Sequence, residues 1–365
     1  MSGIRRVAVI GTGLIGGSIG LALAQREIEV AGFDASPERL ARARELGAVG
    51  SIAPSLEAAV AGADLVFLAV PVGHIARLAV EAFDAGATVV TDVGSVKAPV
   101  VADVAAARPD RAAWFVGGHP MAGSEQEGVE GADADLFFGS SWVLTPTAET
   151  DPAAFTTVRS IVGLLGAEAI EVEPERHDAL VALVSHVPQL AASTLMDVAS
   201  TGGGEHRVLM RLAAGGFRDM TRIAAGHPGI WPDILTANRD AVLHALDAYL
   251  ESLGDVRALV ASGDREGLLD MLKRARTARR SLPVGIPPVE ELAELRIPVP
   301  DRKGVIAEIT TLATRLDVNV FDFEIAHSGE GGAGVIVLVV TATGADELES
   351  GLQALGYHVA RGALA

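Results

Sequence analysis

Three histidine-bearing segments and one arginine pair carry the side chains best suited to chemistry. The first segment is Val116-Gly117-Gly118-His119-Pro120-Met121-Ala122-Gly123-Ser124-Glu125, where Pro120 disfavours helix and holds His119 on an extended loop. A neutral imidazole with an ordinary pKa of about 6.5 is mostly basic at neutral pH, so His119 suits proton acceptance. The second is Thr91-Asp92-Val93-Gly94-Ser95-Val96-Lys97, at the end of another expected strand, whose Ser95 hydroxyl would share the cleft of His119. The third runs from His177 to Gln189. Its His177 and His186 are nine residues apart, about two and a half turns, so one regular helix cannot put both on one face. Pro188 and the segment ends would have to help arrange them. Gly215-Gly216-Phe217-Arg218-Asp219-Met220-Thr221-Arg222 adds two arginines after a glycine break, and one guanidinium fork holds a carboxylate bidentately.

The N-terminal segment reads as a place for a dinucleotide cofactor. Arg5 to Ile10 reads as a buried strand running into Gly11-Thr12-Gly13-Leu14-Ile15-Gly16, followed by an Ala/Leu-rich helix. Gly11 allows the tight turn, Gly13 lets a pyrophosphate approach bare backbone, and Gly16 lets the helix pack closely on the strand. The next strand ends in Asp34, placed to take ribose hydroxyls and repel a 2′-phosphate, which favours NAD. Arg39 and Arg42 keep NADP open. The strand 63–71 brings Val70 and Pro71 beside the same cleft, with His74 read as a residue at its edge.

The chain has 365 residues, enough for two or three domains. A formal charge of −18 argues against nucleic acid or an anionic membrane as partner, so an anionic substrate requires a local basic site. Without cysteine there is no disulfide framework and no thiolate metal site or nucleophile. No unbroken apolar run is long enough to span a membrane and the first residues read as the cofactor strand, so the expectation is a soluble cytoplasmic protein.

Apolar runs at Val7–Ile10, Val30–Phe33, Leu65–Val70, Thr88–Val93, Trp114–Val116 and Trp142–Leu144 alternate with helical segments. They predict an α/β fold with a doubly wound, mostly parallel Rossmann sheet over residues 1–173. Trp114 and Trp142 are expected on strands, in the core, and the acidic run Glu168–Glu175 as a solvated edge. Residues 174–282 read as an all-helical domain, with helices expected near 175–200, 205–225, 231–262 and 264–281. Its apolar texture predicts a homodimer. A proline-rich linker spans 283–292, and 293–365 reads as a ferredoxin-like βαββαβ module.

Taken in order, the glycine cradle, Asp92–Lys97, Gly117–Glu125, His177–Pro188, Gly215–Arg222, Trp231-Pro232-Asp233-Ile234 and Asn238 resemble the prephenate dehydrogenase family of tyrosine biosynthesis. The resemblance covers roughly residues 4–285. The C-terminal module, with Asp301-Arg302-Lys303-Gly304-Val305 before its first helix and Asn319 after it, resembles an ACT domain. The family resemblance implies that NAD takes hydride from the ring carbon bearing the 4-hydroxyl of prephenate while the ring carboxylate leaves as carbon dioxide. No metal is required. It further implies His119 as proton acceptor, Ser95 hydrogen-bonding His119 or the substrate hydroxyl, and Arg222, His177 and His186 as substrate-binding residues. Gly11, Gly13, Leu14, Ile15, Gly16, Asp34, Val70 and Pro71 would contact the cofactor. The ACT resemblance implies an amino-acid effector such as tyrosine at Asp301, Gly304, Val305 and Asn319.

Gln189 departs from the pattern, in which a second histidine follows the proline. As a substrate-binding residue it would help read the side-chain end of the substrate, which makes arogenate, with an amino group where prephenate has a keto group, a serious alternative. Three other readings fit the residues less well. A Ser/His nucleophile lacks a GxSxG elbow. A non-catalytic sensor of dinucleotide and amino acid has no need of His119, Ser95 and Arg222 together. A β-hydroxyacid dehydrogenase would carry a lysine between 174 and 200, and none is there.

Overall fold

The computed structural model describes residues 4–123, 126, 128–201, 212–281, 292–300, 302–327 and 333–362. The chain divides into two compact units, Met1–Gly254 and Asp255–Ala365.

In the first unit eight strands form one sheet: β1 (Arg6–Ile10), β2 (Glu29–Phe33), β3 (Ser51–Ile52), β4 (Leu65–Leu68), β5 (Val90–Asp92), β6 (Phe115–Pro120), β7 (Ser141–Thr145) and β8 (Glu168–Glu171). Their order is β3-β2-β1-β4-β5-β6-β7-β8, parallel except for the antiparallel β6–β7 pair. The apolar runs are continuous because both faces are covered. Val7, Val9, Leu65 and Phe67 enter one core while Ala8, Ile10, Val66 and Leu68 enter the other. The expected strands are present, and two edge strands join them. β3 is too short to leave an apolar run, and β8 lies in the acidic segment read as a solvated edge. Trp142 is fully buried on β7, whereas Trp114 closes the 3₁₀ turn Ala112–Trp114 rather than lying on a strand.

The strand order reverses between β1 and β4, and at such a switch point the carboxyl ends of the strands open a crevice. The glycine turn sits there. Gly11 has φ +93°, and a Cβ on it would stand 2.2 Å from the Ala69 carbonyl oxygen. A Cβ on Gly16, in helix Leu14–Ala24, would stand 1.9 Å from the Gly11 carbonyl oxygen.

Beyond β8 the chain is helical. The expected helix 175–200 is interrupted: helix Pro174–Val181 passes through a π turn, Ala182–His186, into helix Val187–Ser200. This stretch is the one described helix long and apolar enough to cross a membrane, yet it carries buried His177, Asp178 and His186. Of the expected 205–225 helix, residues up to 211 lie outside the described residues, and Gly215–Thr221 runs into a 3₁₀ turn, Arg222–Ala225. The expected 231–262 helix breaks at Asn238, between Trp231–Ala237 and Arg239–Ser262.

The second unit contains helix Arg265–Arg280 and the C-terminal module. There β9 (Leu292–Pro300), helix Val305–Arg315, β10 (Val320–His327), β11 (Ala333–Thr341), helix Ala342–Ala354 and β12 (Ala360–Gly362) keep the expected βαββαβ order. The sheet order is β10-β11-β9-β12, with Leu295, Ile297, Ile309, Leu338 and Leu348 in its core.

Gly16→Val forces the first helix off β1 and should cost about 1–3 kcal/mol of stability. Urea denaturation measures it, and an unchanged midpoint would show that the close helix–strand contact has slack.

Candidate active site

A cavity of about 750 Å³ opens at the β1–β4 switch point, a size suited to a small-molecule ligand. Gly11, Gly13, Asp34, Val70 and Pro71 line it, together with His74 and Arg39. Leu14, Ile15 and Gly16 do not line it. Leu14 and Ile15 form the first turn of the helix, and Gly16 serves packing. A Cβ on Gly13 would meet no protein atom within 4 Å, and Gly13 caps the helix without any side-chain hydrogen bond. The bare backbone that Gly13 presents to the cavity, at the start of a helix, suits a pyrophosphate. Asp34 is buried: its Oδ2 accepts from the Thr12 N–H at 2.8 Å and the Thr12 hydroxyl at 3.1 Å, and its Oδ1 accepts from the Ser36 N–H at 2.8 Å. Asp34 therefore also ties β2 to the glycine turn. Arg39 stands 3.6 Å from it, whereas Arg42 pairs with Glu45 and Glu130 and lies outside the cavity lining. The residues present fit a dinucleotide.

His119 lies at the end of β6, on the same carboxyl edge of the sheet and two strands from β4. Its Nδ1 is 2.9 Å from His177 Nε2, and the two rings meet edge to face. His177 Nδ1 is 2.8 Å from Asp178 Oδ1. No hydrogen bond joins Ser95 to His119, one of the two partners expected for it. Ser95 is half-buried in the loop after β5, and the Nδ1 position is taken by His177. The expected substrate contact of His177 is likewise corrected, because it is 2% exposed and both its ring nitrogens are engaged inside the protein.

His186 joins the same cluster through a residue to which sequence reasoning gave no role. The buried Asn238 Nδ2 donates to the Asp178 carbonyl oxygen at 2.9 Å and meets His186 Nδ1 at 3.3 Å. The π turn takes an extra residue and so rotates the succeeding helix, which relieves the opposition expected of two histidines nine apart. Trp231 stands edge-on to His186 with centroids 6.1 Å apart. Gln189 is buried and donates to Ser193 Oγ at 3.3 Å. Arg222 opens its 3₁₀ turn in an exposed position.

Behind His119 lies a buried ion pair that sequence reasoning also passed over. Lys97 and Asp92 are each fully buried and paired, and Lys97 Nζ also donates to the Gly118 carbonyl oxygen at 2.8 Å. Asp92 accepts from the Gly94 N–H at 2.8 Å and the Gly118 N–H at 3.1 Å. Both peptide groups of Gly118 are thereby held, immediately before His119. Asp92 and Lys97 stand five residues apart in the sequence, and nothing local marks either as buried. Burial pushes the Lys97 ammonium down from its ordinary value, against the pull of Asp92. Burial and then the charge of Lys97, with His177 and His186 beyond it, push His119 well below the ordinary histidine range. Burial also lowers His186.

A family profile described as the nucleotide-binding domain of prephenate dehydrogenase matches residues 19–171, one described as its dimerization domain matches 173–274, and an ACT domain profile matches 293–357. Prephenate dehydrogenase of Bacillus subtilis is 34% identical over 338 residues, covering 90% of each chain. The chain belongs to the prephenate dehydrogenase family. Within that family, the crystal structure of prephenate dehydrogenase from Aquifex aeolicus, in complex with hydroxyphenyl propionate and NAD+, is 30% identical with a TM-score of 0.70. The match covers 76% of this chain and 97% of that one. An arogenate dehydrogenase from Synechocystis is 29% identical with a TM-score of 0.66, covering 75% of this chain and 98% of that one.

Lys97→Met leaves Asp92 buried and uncompensated, and should cost about 3–5 kcal/mol of stability. In urea denaturation the double variant Lys97→Met/Asp92→Asn should recover part of that loss. A single variant as stable as the parent would mean the pair is solvated in solution.

Proposed function

We propose that this chain oxidises and decarboxylates prephenate to 4-hydroxyphenylpyruvate, with NAD as the hydride acceptor. The observation that carries the reading is His119, held neutral by burial and by Lys97 at the sheet edge that also opens the cofactor cavity. NAD bound there supplies the site that receives hydride from the ring carbon bearing the 4-hydroxyl. The rest of the chemistry falls to side chains. His119 accepts the hydroxyl proton as the ring carbonyl develops, which removes the charge barrier to hydride departure. Ser95 is assigned to the substrate hydroxyl, since His119 Nδ1 is already engaged. Arg222 is assigned to a substrate carboxylate. The side-chain carboxylate is the better choice, because gripping the departing ring carboxylate would stabilise the ground state. His186 and Gln189 complete the polar wall on the helical side.

Arogenate is the second reading, supported by Gln189, a neutral donor and acceptor, and by the similarity to an arogenate dehydrogenase. We further read the enzyme as a cytoplasmic homodimer. Leu180, Leu183, Val184, Val198, Leu243 and Leu250 leave an exposed apolar face on the helices matched by the dimerization profile. Tyrosine is the effector we assign to the ACT module. Gly304, with φ +91°, caps helix Val305–Arg315 without a side-chain bond, while Asn319 is exposed beyond the other end. Asp301 lies outside the described residues. An eleven-residue helix is about 16 Å long, so one amino acid within one module reaches Gly304 or Asn319 but not both.

The experiment is a steady-state comparison of prephenate and arogenate with NAD and NADP, with and without tyrosine, read as cofactor reduction. Prephenate with NAD should give the highest kcat/KM, and His119→Asn should lower kcat by about 10²–10⁴-fold with the fold intact. No turnover of either substrate would sink the enzyme reading. The pH dependence comes from the direction of the His119 shift. The neutral form is the active base and its pKa is lowered, so activity should be level across neutrality and fall only well below pH 6.5. An acid limb centred above 6.5 would contradict this assignment.

A further inference from the structure

We propose that Asp178 and His177 act as positioning residues that fix the tautomer of His119, so that its lone pair is always on Nε2 and its proton on Nδ1. The inference rests on His119 being the proton acceptor, and it specifies which atom accepts.

The order of protons is set by which groups can donate. Both oxygens of Asp178 already accept from backbone: Oδ1 from the Lys97 N–H and Oδ2 from the Ala98 N–H, each at 2.8 Å. Asp178 is 4% exposed and meets His177 as an acceptor. The 2.8 Å contact at His177 Nδ1 therefore carries the His177 proton. A neutral imidazole has only one such proton, which leaves a lone pair on His177 Nε2. The 2.9 Å contact to His119 Nδ1 then needs its proton from His119. The reverse order requires a doubly protonated His177, a second buried cation close to Lys97, which already bears on His119. With His119 neutral and its proton spent on Nδ1, Nε2 is the acceptor. When that atom takes a proton, the imidazolium stays hydrogen-bonded through His177 to Asp178.

The frame behind this order is rigid. The Asp178 side chain is held at the start of helix Ala98–Ala107, and its carbonyl is held by Asn238. The second contact sets His186 as well. Because a carbonyl oxygen can only accept, Asn238 must turn its amide nitrogen toward Asp178, so the same nitrogen donates to His186 Nδ1. The His186 proton is then on Nε2. Position 178 thus reaches two histidines: its carboxylate, through His177, sets an acceptor at His119 Nε2, and its main-chain carbonyl, through Asn238, sets a donor at His186 Nε2.

The test uses the full chain with ¹⁵N-labelled histidine and long-range ¹H–¹⁵N NMR at neutral pH, alongside kinetics. In the parent, His119 and His177 should show protonated Nδ1 and His186 protonated Nε2. Asp178→Asn should mix the His119 tautomers and lower kcat about 100-fold or more, with KM within about twofold. Should that variant fail to fold, His177→Gln, whose amide imposes no proton order, should mix the tautomers and lower kcat at least about tenfold. A parent His119 protonated on Nε2 overturns the proposal, as does a folded Asp178→Asn with unchanged tautomers and unchanged kcat. Correct tautomers in a parent that turns over neither prephenate nor arogenate would sustain the proton order and remove the proposed reaction.

Discussion

The burial of Lys97 is the constraint on which the site depends. Its ammonium pairs with Asp92 on β5 and donates to the Gly118 carbonyl on β6, while its backbone N–H donates to Asp178 on the helical side. One residue therefore binds two strands of the sheet to the helix that carries the second histidine. A charge without water cannot relax into another arrangement at low cost, because each lost contact leaves an unsatisfied group in a low-dielectric interior. The polar cluster is consequently rigid, and its rigidity is transmitted to His119, one residue beyond Gly118. The same positive charge helps keep the imidazole neutral. Positioning and electrostatics come from a single side chain.

At the cofactor cavity the governing force is steric. Gly11 and Gly16 bring helix, turn and the end of β4 into contact distances that no side chain permits, and this close approach leaves Gly13 facing open space. Asp34 closes the arrangement by holding Thr12 and Ser36 around the turn. The two halves of the site are built differently, one by the absence of side chains and the other by fully bonded polar ones. Both lie at the carboxyl edge of the same sheet, where strand ends expose backbone groups that must find partners.

Much of this was legible in the residues alone. Continuous apolar runs announced strands buried on both faces, the glycine spacing announced the cradle, and His119 next to a proline announced a positioned imidazole. The misses share a physical cause. β3 is two residues long and β8 is an exposed acidic edge, so neither carries an apolar signal. Lys97, Asp178 and Asn238 are polar residues whose importance comes from burial, and burial is a property of the assembled fold. The π turn at Ala182–His186 left no mark that helical spacing could register.

The sequence by itself determined the central strands, the ordered motifs and the chemical repertoire: a dinucleotide cradle, imidazole bases, a guanidinium and no thiol. Those properties arise from local spacing and side-chain chemistry, which need no third dimension. Only the tertiary structure decided which groups meet. It joined His119 to His177 rather than to Ser95, separated Arg42 from the cavity, and linked Asp178 to His186 through Asn238. Hydrogen bonds between residues 58, 81 and 52 positions apart are set by packing, and no local pattern encodes their partners.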